Sequence, residues 1–128
     1  MGISQYMAKE IMRELSHKSR EFYEFILPPV DIVEGANDLV VTIDLPGFAK
    51  KDIKLRIVGN VLSVSAKRED VENEGTVYYK HRPIQIHKKI PLPISVSDDE
   101  RIGGTAIYQD GVVTLRIPIP NFSNIPIT

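Results

Sequence analysis

Up to residue 27 the apolar positions recur with a helical period, and from Pro29 onward they alternate with polar ones. Ile3, Met7, Ile11, Leu15, Phe22 and Ile26 fall four or seven apart, with Lys9, Glu10, Arg13, Glu14, Lys18 and Glu21 between them. That spacing places the apolar residues on one stripe and predicts an amphipathic helix. Pro28-Pro29 ends it, because proline lacks the amide hydrogen and crowds the preceding turn. A lone helix in an otherwise β-patterned chain must cover its stripe on its own domain, on other copies of the chain, or on other proteins.

Beyond Pro29, Leu39, Val41, Ile43 and Leu45 alternate with Val40, Thr42 and Asp44; Ile53, Leu55 and Ile57 with Lys54 and Arg56; Leu62, Val64 and Ala66 with Ser63, Ser65 and Lys67. A period of two turns one face of each run inward. Ile84, Ile86 and Ile90 mark a further strand before Pro91 and Pro93, and Val113, Leu115, Ile117 and Ile119 mark the last. Turn residues separate the runs at Glu34 to Asn37, at Leu45-Pro46-Gly47-Phe48 and at Gly59-Asn60, while Asp110-Gly111 tolerates the positive φ of a tight hairpin. Isoleucine and valine outnumber leucine, and β-branched side chains favour strands. The pattern predicts an all-β class: an antiparallel, immunoglobulin-like β-sandwich with an N-terminal helical arm and a short extended tail.

The boundaries are an arm at 1–28, a sandwich at 29–118 and a tail at 119–128. Glu69, Asp70, Glu72, Asn73, Glu74 and Gly75 form an acidic excursion, after which Val77, Tyr78 and Tyr79 read as a short strand; a solvated hairpin loop is the simpler alternative. Pro118, Pro120 and Pro126 keep the tail out of any long ladder. Ile125 and Ile127, held extended around Pro126, suit a plug for a groove on another subunit, and Phe122 precedes them as an unusual aromatic in a polar segment.

A formal charge of −1 over 128 residues gives no electrostatic drive toward nucleic acid. The absence of cysteine removes disulfides and thiolate chemistry, and no run approaches a membrane span. These features predict a cytoplasmic protein with no nucleic-acid partner and no stable membrane insertion. Of the three histidines, His17 lies in the helix, and His81 and His87 sit too far apart on one strand to share a metal. Asp98-Asp99-Glu100 reads as a turn or helix start, and Gly103-Gly104 lacks a phosphate-loop context. With no G-x-x-x-x-G-K-[ST] and no G-x-S-x-G, the chain is expected to be no enzyme and to need neither cofactor nor metal.

Four motifs in order carry a family resemblance: Pro29-Val30-Asp31-Ile32-Val33-Glu34; Asp44-Leu45-Pro46-Gly47-Phe48 through Lys51-Asp52-Ile53; Leu62-Ser63-Val64-Ser65-Ala66-Lys67-Arg68-Glu69; and Ala106-x-x-x-Asp110-Gly111-Val112-Val113 followed by Ile125-x-Ile127. Together they resemble the small heat-shock proteins, the α-crystallin family, in their non-animal form. The resemblance implies an ATP-independent holdase, stored as a large homo-oligomer of dimers, whose partners are unfolded or stress-denatured client proteins. It implies that Ile125 and Ile127 plug a groove walled by Ile53, Leu55, Ile57, Thr105 and Ile107. It also implies that Val77, Tyr78 and Tyr79 pair with Val30 and Ile32 of a second subunit, and that Met7, Ile11, Leu15, Phe22, Phe25 and Ile26 serve assembly and client capture. Lys80-His81-Arg82 through Lys88 departs from the family, which has a glycine, an aromatic residue and an arginine there; lysine cannot make arginine's two-pronged pairing. A monomeric sandwich resembling the p23 or CS-domain co-chaperones is the alternative. A carbohydrate-binding sandwich is disfavoured, because the chain has no tryptophan for sugar stacking.

Overall fold

In the computed structural model, which describes residues 3–94, 104–119 and 127, Asp110 and Gly111 take φ values of 53° and 77°. Positive φ at both central residues is what a two-residue type I′ hairpin requires. The turn joins a strand at Thr105–Gln109 to one at Val112–Pro118 with Gln109 opposite Val112. In chain order the elements are α1 (Ile3–Ile26), β1 (Val30–Glu34), β2 (Asp38–Asp44), a 3-10 turn (Lys50–Asp52), β3 (Ile53–Val58), β4 (Val61–Lys67), β5 (Gln85–Pro91), β6 (Thr105–Gln109) and β7 (Val112–Pro118).

The strands form two antiparallel sheets, one ordered β1-β2-β7-β6 and the other β3-β4-β5. The period-two reading therefore holds, and its consequence is visible in burial. Leu39, Val41 and Ile43 of β2 and Ile117 of β7 face Leu62 and Val64 of β4 with no solvent exposure. Leu45, Phe48, Ile86, Ile90, Leu92, Val113 and Leu115 complete one core between the sheets. Each such side chain, fully buried, contributes about 1.5–3 kcal/mol of transfer free energy, which is where the stability of the domain resides.

Residue-level departures from the periodicity are small. Ile84 and Ile119 lie one residue outside the strands expected to hold them. Ile119 is instead tied down by its amide, which donates to the Asn37 carbonyl at 3.0 Å. Asp98-Asp99-Glu100, Gly103, Pro120, Phe122, Ile125 and Pro126 fall outside the described residues. Four edges of the two sheets remain: β1 and β6 on one, β3 and β5 on the other. Open edges offer unpaired backbone groups to other chains, so they are where assembly surfaces are to be sought.

Candidate functional site

Edges β3 and β6 face each other across a groove of about 160 Å³, with Ile53 and Leu55 on one wall and Ala106, Ile107 and Tyr108 on the other. Register explains the asymmetry of the β6 wall. Ala106 and Tyr108 stand opposite the inward-facing Leu115 and Val113, and Thr105 and Ile107 alternate with them. Tyr108 fixes this edge. Its hydroxyl lies 2.7 Å from both the Leu45 and the Phe48 carbonyl oxygens, so one proton is shared between two acceptors at the Pro46-Gly47 turn.

Of the groove residues expected from sequence, Ile53, Leu55 and Ile107 line it; Ile57, half-buried on β3, and Thr105, exposed on β6, do not. Ala106 and Tyr108 are added by the structure. Their parity with Val113 across the Asp110-Gly111 hairpin is the sequence signal for them. Ile127 is 99% exposed and touches no groove of its own chain; Ile125 lies outside the described residues.

The helix α1 keeps its apolar stripe uncovered. Met7, Ile11, Leu15, Phe22 and Ile26 are 44–59% exposed and Phe25 is 84% exposed. Contact with the rest of the chain comes from the C-terminal end of the helix, through polar groups and the Tyr23 ring, with Leu27 packed on the core just beyond it. The Glu24 carboxylate accepts hydrogen bonds from the backbone amides of Ile84 and Gln85, both at 2.9 Å, and so satisfies two donors at the start of edge β5. Lys88, on β5, donates to the Ile26 carbonyl at 3.2 Å, a cation at the end of a helix where carbonyls lack partners. Lys88 thus closes the end of the arm's own helix. Among the expected alternatives, packing of the apolar stripe on its own domain is not what the structure shows.

The acidic excursion between β4 and β5 is pinned at its base. Asp70 bridges Arg20 of the arm at 3.0 Å and Lys80 at 2.8 Å, and these two hydrogen bonds hold its carboxyl below the ordinary carboxylate range. The His81 ring lies against Tyr79 and Tyr23, with centroids 5.1 and 5.9 Å away. Val77 to Tyr79, expected as a strand, form no ladder in this single chain, and Tyr78 and Tyr79 are 60% and 74% exposed. A three-residue strand gains its hydrogen bonds only from a neighbour, and none is adjacent here. The strand they were expected to join, β1, has Val30 and Ile32 half-buried against the core and one edge free.

Among the described residues, no group of histidine, aspartate and glutamate side chains is arranged to hold a metal ion. No helix among them is long and apolar enough to cross a membrane. What the surface does offer is apolar and edge-directed: a groove, a free strand edge and an uncovered helical stripe.

The sequence and the overall fold are similar to those of known proteins. A solved structure of a mutant of hsp14.1 from Sulfolobus superposes with a TM-score of 0.73 at 43% identity, covering 94% of this chain and 97% of that one. A probable 15 kDa heat shock protein of Leptospira interrogans is 27% identical over 119 residues, 88% of this chain and 89% of the relative. The sunflower 17.9 kDa class II heat shock protein is 37% identical over 93 residues, 70% of this chain but 56% of its own length. The family model described as Hsp20/alpha crystallin matches residues 31–126. From the opening strand to the tail, the chain belongs to the Hsp20/alpha crystallin family of small heat shock proteins.

Proposed function

We propose that this protein is an ATP-independent holdase, stored as a large homo-oligomer of dimers, that binds unfolding proteins and prevents their aggregation in the cytoplasm. Family membership supports a chaperone role in general. The observation that carries the finer reading is the stripe on α1: six large apolar side chains, each at least 44% exposed in the single chain. Exposed apolar surface of that extent marks an interaction site. Methionine and phenylalanine in it conform to partners of many shapes. A protein that binds unfolded chains competes with their aggregation by mass action and needs no fuel.

The assembly half of the proposal rests on the edges. Ile125 and Ile127 of one subunit insert into the Ile53, Leu55 and Ile107 groove of a neighbouring dimer, burying two isoleucines for about 3–6 kcal/mol before entropic costs. One such contact opens readily, while many in a closed shell hold by multivalency. Val77 to Tyr79 pair with β1 of a partner subunit, which closes that edge and makes a symmetric dimer.

Two measurements test this. The pure protein should suppress heat-induced client aggregation equally with and without ATP; ATP-dependent protection contradicts the holdase reading. Light scattering should give a large mass for the full chain and a dimer's mass once residues 124–128 are removed. A monomer in both cases favours a co-chaperone-like adaptor instead.

A further inference from the structure

A second cavity, of about 520 Å³, lies at the root of the arm, between the Pro46-Gly47 turn and the start of β5. Leu27, Leu45, Phe48 and Ile86 supply apolar wall, and Arg68 and Arg82 supply two cations. Gly47 shows how closely these converge. A Cβ at Gly47 would stand 2.6 Å from Arg68 Nη1 and 3.4 Å from Arg82 Nη2, so both guanidiniums lie close to the Gly47 backbone on the same side. Gly47 also holds φ at 85°, which glycine adopts without strain.

Arg68 is fixed by two further contacts. Its guanidinium lies 5.0 Å over the Phe48 ring, and Nη1 donates to the Gly47 carbonyl at 3.5 Å. Burial, and then the charge of Arg82, hold Arg68 below the ordinary arginine pKa. Among the described residues no carboxylate forms an ion pair with either arginine, although Asp70 and Asp38 are paired elsewhere. Asp44 lines the same cavity without reaching ion-pair distance of either.

From this we infer that the Arg68–Arg82 cavity is a client-binding site for segments that carry a carboxylate beside large apolar side chains. Two planar guanidiniums on the wall of one cavity suit a single carboxylate, whose two oxygens accept in parallel from such forks. The apolar wall takes the neighbouring side chains, and the volume is that of ordinary ligand sites, about 300–1,000 Å³. Leu27 follows the last helical residue of the arm, so a client chain lying on Phe25 and Ile26 continues into this cavity. The inference rests on the holdase reading and adds to it a preference for acidic over neutral apolar segments.

The chain contains no tryptophan, so tryptophan in a short peptide reports binding directly. A peptide of leucine, tryptophan and one glutamate is compared with its glutamine counterpart at low and high salt. The glutamate peptide should bind about tenfold tighter at low salt, with the difference shrinking as salt screens it. Arg68→Met and the milder Arg82→Gln should each abolish the difference, and Phe22→Ser/Phe25→Ser should preserve it. Equal binding of the two peptides, or a preference that survives in Arg82→Gln, overturns the site. So does an Arg82→Gln protein that shows no peptide preference in either form but loses oligomer mass, since the arginines would then serve a second copy. Client protection is measured on the same samples. Protection without peptide discrimination overturns this site alone, while discrimination without protection overturns the holdase reading and with it the cavity's role in client binding.

Discussion

The sandwich and the arm put apolar side chains to opposite uses. In the sandwich, Leu39, Val41, Ile43, Leu62, Val64 and Ile117 are fully shielded. In the arm, Met7, Ile11, Leu15, Phe22 and Phe25 are more than half exposed. At the joint between the two regions, polar contacts from Glu24 to the β5 amides, from Lys88 to the Ile26 carbonyl and from Arg20 to Asp70 accompany Leu27 packed on the core and the buried Pro28. Fold stability is therefore carried by the buried sandwich residues, to which the exposed side chains of the arm add little. Substitutions in each region should separate fold from function.

The largest effect is expected in the sandwich. Ile43→Ala removes a fully buried side chain near the C-terminal end of β2 and should cost about 2–5 kcal/mol, read as a lowered midpoint in denaturant. An arm residue such as Leu15, 59% exposed, changed to alanine should leave that midpoint within about 0.5 kcal/mol. Equal losses at the two positions would break the comparison.

Tyr108→Phe sharpens it at the groove. The hydroxyl shared between the Leu45 and Phe48 carbonyls is lost while the ring stays, at a cost of about 0.5–1.5 kcal/mol in thermal or denaturant unfolding. Because Tyr108 also forms the β6 wall, the oligomer should dissociate at lower temperature than its stability loss alone explains. Unaltered oligomer melting would detach Tyr108 from assembly.

The smallest effect concerns the joint. Hydrogen bonds from Lys80 and Arg20 lower the Asp70 pKa, so the ionised carboxylate favours the pinned loop at neutral pH. That contribution is fully present above the unfolded value of about 3.9 and is lost as pH falls below it, toward the lower folded value. Asp70→Asn should mimic the loss at neutral pH. Chymotrypsin would then cut after the exposed Tyr78 and Tyr79 faster than in the unmodified protein, with the sandwich core still resistant. Unchanged cleavage would show that the Asp70 bridges do not hold the loop.

Most of the fold was legible in the chain because alternation is a local signal: each of β2, β4 and β7 sits where its apolar residues alternate, and Asp110-Gly111 sets the register between β6 and β7. Much less of the site could be read. Glu24 sits among the polar residues of an amphipathic helix, and nothing local says that its carboxylate reaches two amides 60 and 61 residues away. Arg68 and Arg82 lie on either side of the acidic excursion in sequence, and only the fold brings both beside Gly47. Ala106 is too small to stand out in any hydrophobic pattern; only the pairing with β7 turns it into the groove. Val77 to Tyr79 have the residue types of a strand but form none in the single chain, because a ladder depends on a neighbour as well as on residue type.

The central claim is that client protection depends on the apolar stripe of the exposed arm, while the buried side chains of the sandwich carry the fold. Phe22→Ser/Phe25→Ser removes two exposed rings, 58% and 84% accessible, and leaves every strand intact. The decisive measurement is light scattering of a heated client at equal chaperone mass, with the unfolding midpoint of the variant checked alongside. Protection should fall steeply at an unchanged midpoint. Protection equal to that of the unmodified protein would contradict the claim and place client binding on the sandwich.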